Sequence, residues 1–400
     1  MCGIVASVST RVRVNADALR RVATLANDGS DADRVIKPAF LIGLALILMP
    51  VVARAQEKVI IDTDFTSAGD DGQVGVMAAQ LHAAGAIQLL GITIVAGNEW
   101  LPQEVADALR AVERLGIAEE VGVYAGARYP LVHDYNNLAQ ERALWGVGGS
   151  WYRRPEPPDD TVTAPFDGFA SRTRVRSEHA VNFIIDTIKK HPHEVTVLAI
   201  GPLTNIALAI RMNPEIVPLI KRIVYMAGAF EVPGNTTPAA EMNVWYDPEA
   251  ARIVVRQAID QAFIPLDVTN TVPMTKPIFE RIVGAGDTPV AKLMASSGLA
   301  RRFNEDSAAT SYIYDTLALA YLIDPTYATD VKQMWVDVDC TWGPSYGRTL
   351  GYEEERPAKL LQKANVVRRF DNDRFFKLYV DLMTRPVPVR LRDSAIARPE

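Results

Sequence analysis

The sequence predicts an α/β protein built on an open, mostly parallel sheet with helices on both faces. Three observations predict it. From Lys58 onward, short β-branched runs alternate with helical patterns. Several runs are apolar on both faces, as buried parallel strands are. Nearly every run is followed by a loop bearing a carboxylate or an amide, and in an open α/β sheet ligands bind outside the carboxyl ends of the strands.

The strands expected are "KVIID" (58–62), "IQLLGITIVAG" (87–97), "VGVYAG" (121–126), "VTVLAIG" (195–201), "RIVYMAG" (222–228) and "QAFIPLDV" (261–268). Apolar residues three and four apart mark helices between them. "SEHAVNFIIDTIKKH" has Ser177 as its candidate N-cap, and "DPEAARIVVRQA" has Pro248 in its first turn. Residues 128–176, rich in Pro, Gly, Asp and Arg, read as a long loop or lid over a site, or as a plain insertion. Residues 57–385 form the expected catalytic domain, and residues 386–400 a fraying tail.

Composition narrows the function. A chain of 400 residues, 48% hydrophobic and 22% charged, can bury a full core. Net charge −6, with no Lys/Arg block, argues against a nucleic-acid partner. Cys2 and Cys340 are too few for a disulfide framework or a zinc-thiolate site. Residues 1–56 read as an N-terminal extension. Within it, Arg34 and Lys37 precede the apolar run Phe40 to Val52, and Ala53-Arg54-Ala55 follows. That layout, at about 34–55, is signal-peptide-like and predicts a secreted or periplasmic protein with no stable membrane association after cleavage. An uncleaved N-terminal anchor is the other reading of the same run.

The chemistry concentrates in "KVIIDTDFTSAGDDG", where Asp62, Asp64, Asp70 and Asp71 follow the first strand. Carboxylates so crowded drive one another's pKa values upward unless a cation compensates them. Hard divalent ions such as calcium take oxygen ligands of this kind. Helix capping accounts for one of the four and leaves the others unexplained.

Two families share features with this stretch. "IIDTDFT" alone resembles the opening of the haloacid-dehalogenase-like phosphatases. The inosine-uridine-preferring nucleoside hydrolase family is matched at five separated places. These are "DTDFTSAGDD", "VAGN" (95–98), "LAIGPLTNIALAI" (198–210), "YMAGAFEVPGNTTPAAEMNVWYDPEAA" (225–251) with "IPLDVTN" (264–270), and "YDTLALAYLIDP" (314–325). Five collinear blocks outweigh one heptapeptide. The resemblance implies a Rossmann-like core and calcium-dependent cleavage of the N-glycosidic bond of nucleosides, serving nucleoside salvage and purine metabolism. It implies that Ca2+ is held by Asp64, Asp71, Asp315 and the main-chain oxygen of Ile200. Asp64 would be the general base. Asp70, Asn98 and Asn243 would grip the 2′ and 3′ hydroxyls of ribose, and Asn235 and Glu241 the 5′ side, with Asp62 orienting the first loop. A homodimer or homotetramer is also implied.

The chain departs from that pattern in three places. The first loop, Phe65 to Gly69, is two residues longer than the family's, and the extra turn is expected to bulge outward. Tyr314 stands where a histidine acid is common. Trp145 stands near another histidine position, as a candidate to stack on the base or as a packed aromatic. His82, His179, His191 and His193 read as surface or capping residues, while His133, in the long loop, is the one histidine placed to be a candidate for reaching the leaving base, against a plain structural role. The phosphatase, and a non-catalytic secreted calcium-dependent nucleoside or sugar binder, are the alternative readings.

Overall fold

The computed structural model describes residues 56–145, 156–354 and 360–387, which lie in a compact unit beginning at Gln56. The signal-like segment and residues 388–400 lie outside the described residues. No described helix is long and apolar enough to cross a membrane.

The chain opens with β1 (Glu57–Thr63), α1 (Asp70–Ala83), β2 (Ile87–Ile94), α2 (Leu101–Leu115), β3 (Gly122–Ala125), α3 (Tyr135–Trp145) and α4 (Ala180–Lys190). It continues through β4 (Val195–Ala199), α5 (Thr204–Met212), β5 (Arg222–Tyr225), α6 (Met242–Tyr246), α7 (Pro248–Val255), β6 (Gln261–Phe263) and α8 (Leu266–Thr269). A small hairpin, β7 (Pro273–Thr275) with β8 (Thr310–Tyr312), encloses α9 (Lys276–Val283), α10 (Pro289–Ser296) and α11 (Gly298–Glu305). Last come α12 (Tyr314–Ile323), β9 (Ala328–Val338), β10 (Thr349–Tyr352), β11 (Gln362–Phe370) and α13 (Asn372–Thr384).

The main sheet has nine strands in the order β10-β9-β11-β6-β5-β4-β1-β2-β3. From β11 to β3 every pairing is parallel, whereas β9 runs antiparallel to both β11 and β10. Strand β1 shows why the sheet is covered on both sides. Val59 and Ile61 enter one core with α1, α2, α12 and α13, while Ile60 enters the other with α4, α5 and α7. A run apolar at every position has no solvent face, and each such side chain contributes about 1.5–3 kcal/mol on burial.

Helix ends follow local chemistry. Asp247 caps α7 through Ala250 N–H, with Pro248 as the first residue. The N-cap of α4 is His179, whose ring accepts from Val181 N–H, so Ser177 lies outside the helix. The segment 128–176 is more than a loop, since it carries α3 and a 3-10 turn at Asp159–Thr161.

Candidate active site

The chain winds outward through β1, β2 and β3 and then returns to place β4 beside β1 on its other edge. That reversal opens a crevice beyond the carboxyl ends of β1 and β4. Asp62, on β1, lies opposite Ala199 of β4. Its Oδ1 accepts from Thr93 Oγ1 at 2.5 Å and Asn205 Nδ2 at 2.8 Å, and burial nevertheless raises its pKa to about 7. Asn205 also donates to Ile94 O and accepts from Ala127 N–H, so one amide ties β1 to the ends of β2 and β3.

Asp64 is 1% exposed, and neither of its carboxylate oxygens meets a hydrogen-bond donor. Burial, followed by the charges of Asp71 and Glu104, holds its pKa well above the usual carboxylate range. Backbone walls it in. A Cβ on Gly97 would sit 2.3 Å from Asp64 Oδ2, and one on Gly201 would sit 2.9 Å from Oδ1.

The longer first loop does not simply bulge outward. Phe65 is 2% exposed and packs toward Gly75 of α1. Thr66 O accepts from Gly72 N–H at 3.1 Å, and Ser67 Oγ donates to Asp107 Oδ1 of α2 at 2.6 Å. The extra residues are thus absorbed by an aromatic anchor and a tether, and Asp70 and Asp71 still open α1.

Ligand atoms of Asp70, Asp71 and Asp315 converge to within 4.8 Å of one another. This trio differs from the expected metal set by one member, with Asp70 inside it and Asp64 beside it. Asp71 and Asp315 come from the first turns of α1 and α12, where the helix dipoles favour negative charge. Asp71 Oδ1 accepts from Thr63 Oγ1 at 2.6 Å, and its Oδ2 accepts from Asn98 Nδ2 at 3.0 Å. The backbone N–H and side chain of Asp315 face Asp70. Burial, and then mutual repulsion, raise the pKa values of Asp71 and Asp315 well above normal.

The expected ribose groups surround this cluster. Asn98 Nδ2 also donates to Asp64 O at 3.1 Å. Asn243 Nδ2 donates to Met226 O at 3.0 Å and to Ile200 O at 3.3 Å, which brings the expected main-chain ligand to the same crevice. Glu241 is the N-cap of α6, its oxygens accepting from the N–H groups of Gly228, Asn243 and Val244. Asn235 Oδ1 accepts from Met242 N–H, and its side chain also bonds Tyr314. Burial, with the charge of Asp70 next, lifts the Tyr314 phenol to about 12.

His133 is held by the interior of the fold. It is 2% exposed, with Nε2 2.7 Å from Glu141 Oε1 and Nδ1 3.2 Å from Tyr246 O. Both ring nitrogens are thus occupied within the fold. The ring stands edge-on to Trp245 and Tyr346, Tyr346 meets Trp342, and Trp342 meets Trp145 with centroids 5.2 Å apart. Trp145 therefore ends a string of aromatic rings that starts on α6. Two residues missed by sequence reasoning also bear on the site: Glu104 and Asp107 of α2, whose spacing marks one helix face but whose burial no local signal reveals.

The donor set fits a hard cation. A buried carboxylate with two unpartnered oxygens, beside three more acids, is costly unless positive charge lies among them. Fold and site together define an α/β protein with an acidic cage at its topological switch point. A family model described as inosine-uridine preferring nucleoside hydrolase matches residues 59–377. The pyrimidine-specific ribonucleoside hydrolase RihB of Escherichia coli (strain SE11) is 36% identical over 301 residues, covering 74% of this chain and 87% of that protein. The plant nucleoside hydrolase PpNRh1 aligns with a TM-score of 0.67 at 25% identity, covering 82% of this chain and 99% of its own. A purine-preferring ribonucleoside hydrolase from Gardnerella vaginalis gives 0.64 at 28%, covering 82% and 98%. The chain belongs to the inosine-uridine preferring nucleoside hydrolase family and is a nucleoside hydrolase enzyme.

Proposed function

We propose that this enzyme hydrolyses the N-glycosidic bond of ribonucleosides in a calcium-dependent reaction, giving free base and ribose, with Asp64 as general base. The observation that carries the reading is the buried Asp64 carboxylate, bare of donors and beside the converging Asp70, Asp71 and Asp315. Asp64, Asp71, Asp315 and Ile200 O would hold Ca2+, which supplies, when bound, a lower pKa for a coordinated water.

The chain's own groups account for the rest. Asp70, Asn98 and Asn243 bind the 2′ and 3′ hydroxyls, and Asn235 and Glu241 the 5′ side, which fixes C1′ before Asp64. As water oxygen bonds to C1′ and the C1′–N bond breaks, Asp64 takes the water's proton. The surrounding carboxylates favour the positive charge that develops on the ribose ring. Tyr314 would donate a hydrogen bond to the departing base, and Trp145 would offer it an aromatic face. The basic, apolar and small-residue order of about 34–55 supports export, so salvage would take place outside the cytoplasm.

The test is release of free ribose from inosine, uridine and p-nitrophenyl riboside, with and without a chelator, beside Asp64→Asn. Turnover that stops with chelator and falls by roughly 100-fold or more in Asp64→Asn is expected, the usual scale for losing a general base. Full turnover in the presence of chelator would refute the calcium dependence, and an active Asp64→Asn the general base.

A further inference from the structure

Two buried carboxylates of α2 take no part in the reaction described above. Glu104 is fully buried, and its Oε1 accepts from Gly97 N–H at 3.2 Å and from Glu99 N–H at 2.7 Å. Asn98 lies between those two amides, and its side chain holds Asp64 O and Asp71 Oδ2. One turn along the helix, Asp107 is 8% exposed and accepts from Ser67 Oγ at 2.6 Å and from Gln103 Nε2 at 3.3 Å. Residues three apart share a helix face. One face of α2 thus grips both loops that deliver the acidic cluster.

Stability does not explain this arrangement. A buried carboxylate with an unpartnered oxygen, as Glu104 Oε2 is, stabilises a core less than an apolar side chain of the same volume. It also adds to the repulsion on Asp64. What the carboxylate supplies is geometry, since a single oxygen fixes the two backbone amides on either side of Asn98.

We propose that Glu104 and Asp107 are paired positioning residues of this hydrolase. Glu104 sets the turn that presents Asn98 to the substrate and to Asp71. Asp107 holds the inserted Ser67, so that the longer first loop still delivers Asp70 and Asp71 in register with Asp315. The inference rests on the reading of Asn98, Asp70 and Asp71 as ribose and metal groups.

The test compares the full-length enzyme with Glu104→Met, Glu104→Gln, Ser67→Ala and the remote core variant Val366→Ala. Glu104→Met keeps the volume but loses the acceptor. Its KM for p-nitrophenyl riboside is expected to rise at least tenfold, and the amide hydrogens of residues 97–99 to exchange at least tenfold faster. Glu104→Gln retains an oxygen that can accept both bonds, and should restore KM and exchange to within threefold of the wild type. Ser67→Ala is expected to raise the calcium concentration for half-maximal thermal stabilisation at least threefold. Val366→Ala should lower Tm while leaving KM unchanged, which separates positioning from general destabilisation. Wild-type KM and exchange in Glu104→Met would overturn the Glu104 arm, as would a Glu104→Gln enzyme as impaired as Glu104→Met. Unchanged calcium response in Ser67→Ala would overturn the Asp107 arm. If the wild-type protein released no ribose, the functional reading would fail separately, and amide exchange at residues 97–99 would still decide the Glu104 clasp.

Discussion

Asp71 and Asp315 meet across the packed pair α1 and α12, their ligand atoms, together with those of Asp70, inside a 4.8 Å cluster. Each sits in the first turn of its helix, so two dipoles point at one place. Proton or cation must balance the charge gathered there.

Asp315→Asn should therefore act in opposite directions with and without metal. Without calcium the variant is expected to be more stable than the wild type by about 1 kcal/mol or more, because one repelling charge is gone. With calcium, the thermal stabilisation that a tight ligand gives, about 2.7 kcal/mol at a hundredfold excess over Kd, should be largely lost. Calorimetric melting of both proteins in chelator and in calcium measures this directly.

Gly97→Ala should damage the site through shape alone. The added methyl would lie 2.3 Å from Asp64 Oδ2 and 2.8 Å from its Cβ, too close for either residue to keep its place. Turnover is expected to fall by about 100-fold, as when a catalytic group is displaced by an ångström. Steady-state kinetics beside a far-ultraviolet circular dichroism spectrum would distinguish this from unfolding.

His133→Ala should weaken the fold more than the chemistry. It removes the partner of Glu141, whose residue is fully buried, and breaking such a pair costs about 3–5 kcal/mol. Urea unfolding is expected to show that loss. Turnover per folded molecule should fall far less than in Asp64→Asn, as expected of a histidine that props α3 against α6.

Asp247 gives the stability a dependence on pH. Burial raises its pKa from 3.8 to about 6, against the bonds from Thr204 Oγ1 and the N–H groups of Ala250 and Leu131. The folded state therefore holds the proton more tightly than the unfolded state does. This contribution is complete below about pH 4 and is lost as pH rises through 6, by up to about 3 kcal/mol. Asp247→Asn carries no such proton, so its stability relative to the wild type should improve between about pH 4.5 and pH 7.5. Urea titrations at the two pH values test the shift.

The six strands expected from the sequence were legible because several are apolar on both faces and nearly all end in a loop of oxygen-bearing side chains. The C-terminal part of the sheet was harder to read. Strand β9, "ATDVKQMWVDV", alternates half-buried and exposed residues over its first half, and β11 carries Gln362, Lys363 and Asn365 among its apolar positions. Half-exposed strands lack the continuous apolar run that marks a buried one. Helix α3 was hidden by Asn, Gln and Arg in a segment framed by Pro and Gly. Within the site, the clustering of Asp70 and Asp71 with Asp315 depended on α1 packing against α12, and only the family resemblance linked those distant positions. The burial of Glu104, Asp107 and His133 was invisible for another reason: a solvated polar side chain and a buried one are written with the same letter.

The position of Asp315 also sets one side of the acidic cage far along the chain from the other. Its partners are synthesised near the start of the folded unit, whereas α12 leaves the ribosome only after most of the sheet has been made. A fragment that ends before Asp315 would keep Asp64, Asp70 and Asp71 but lack the acid that α12 brings to them.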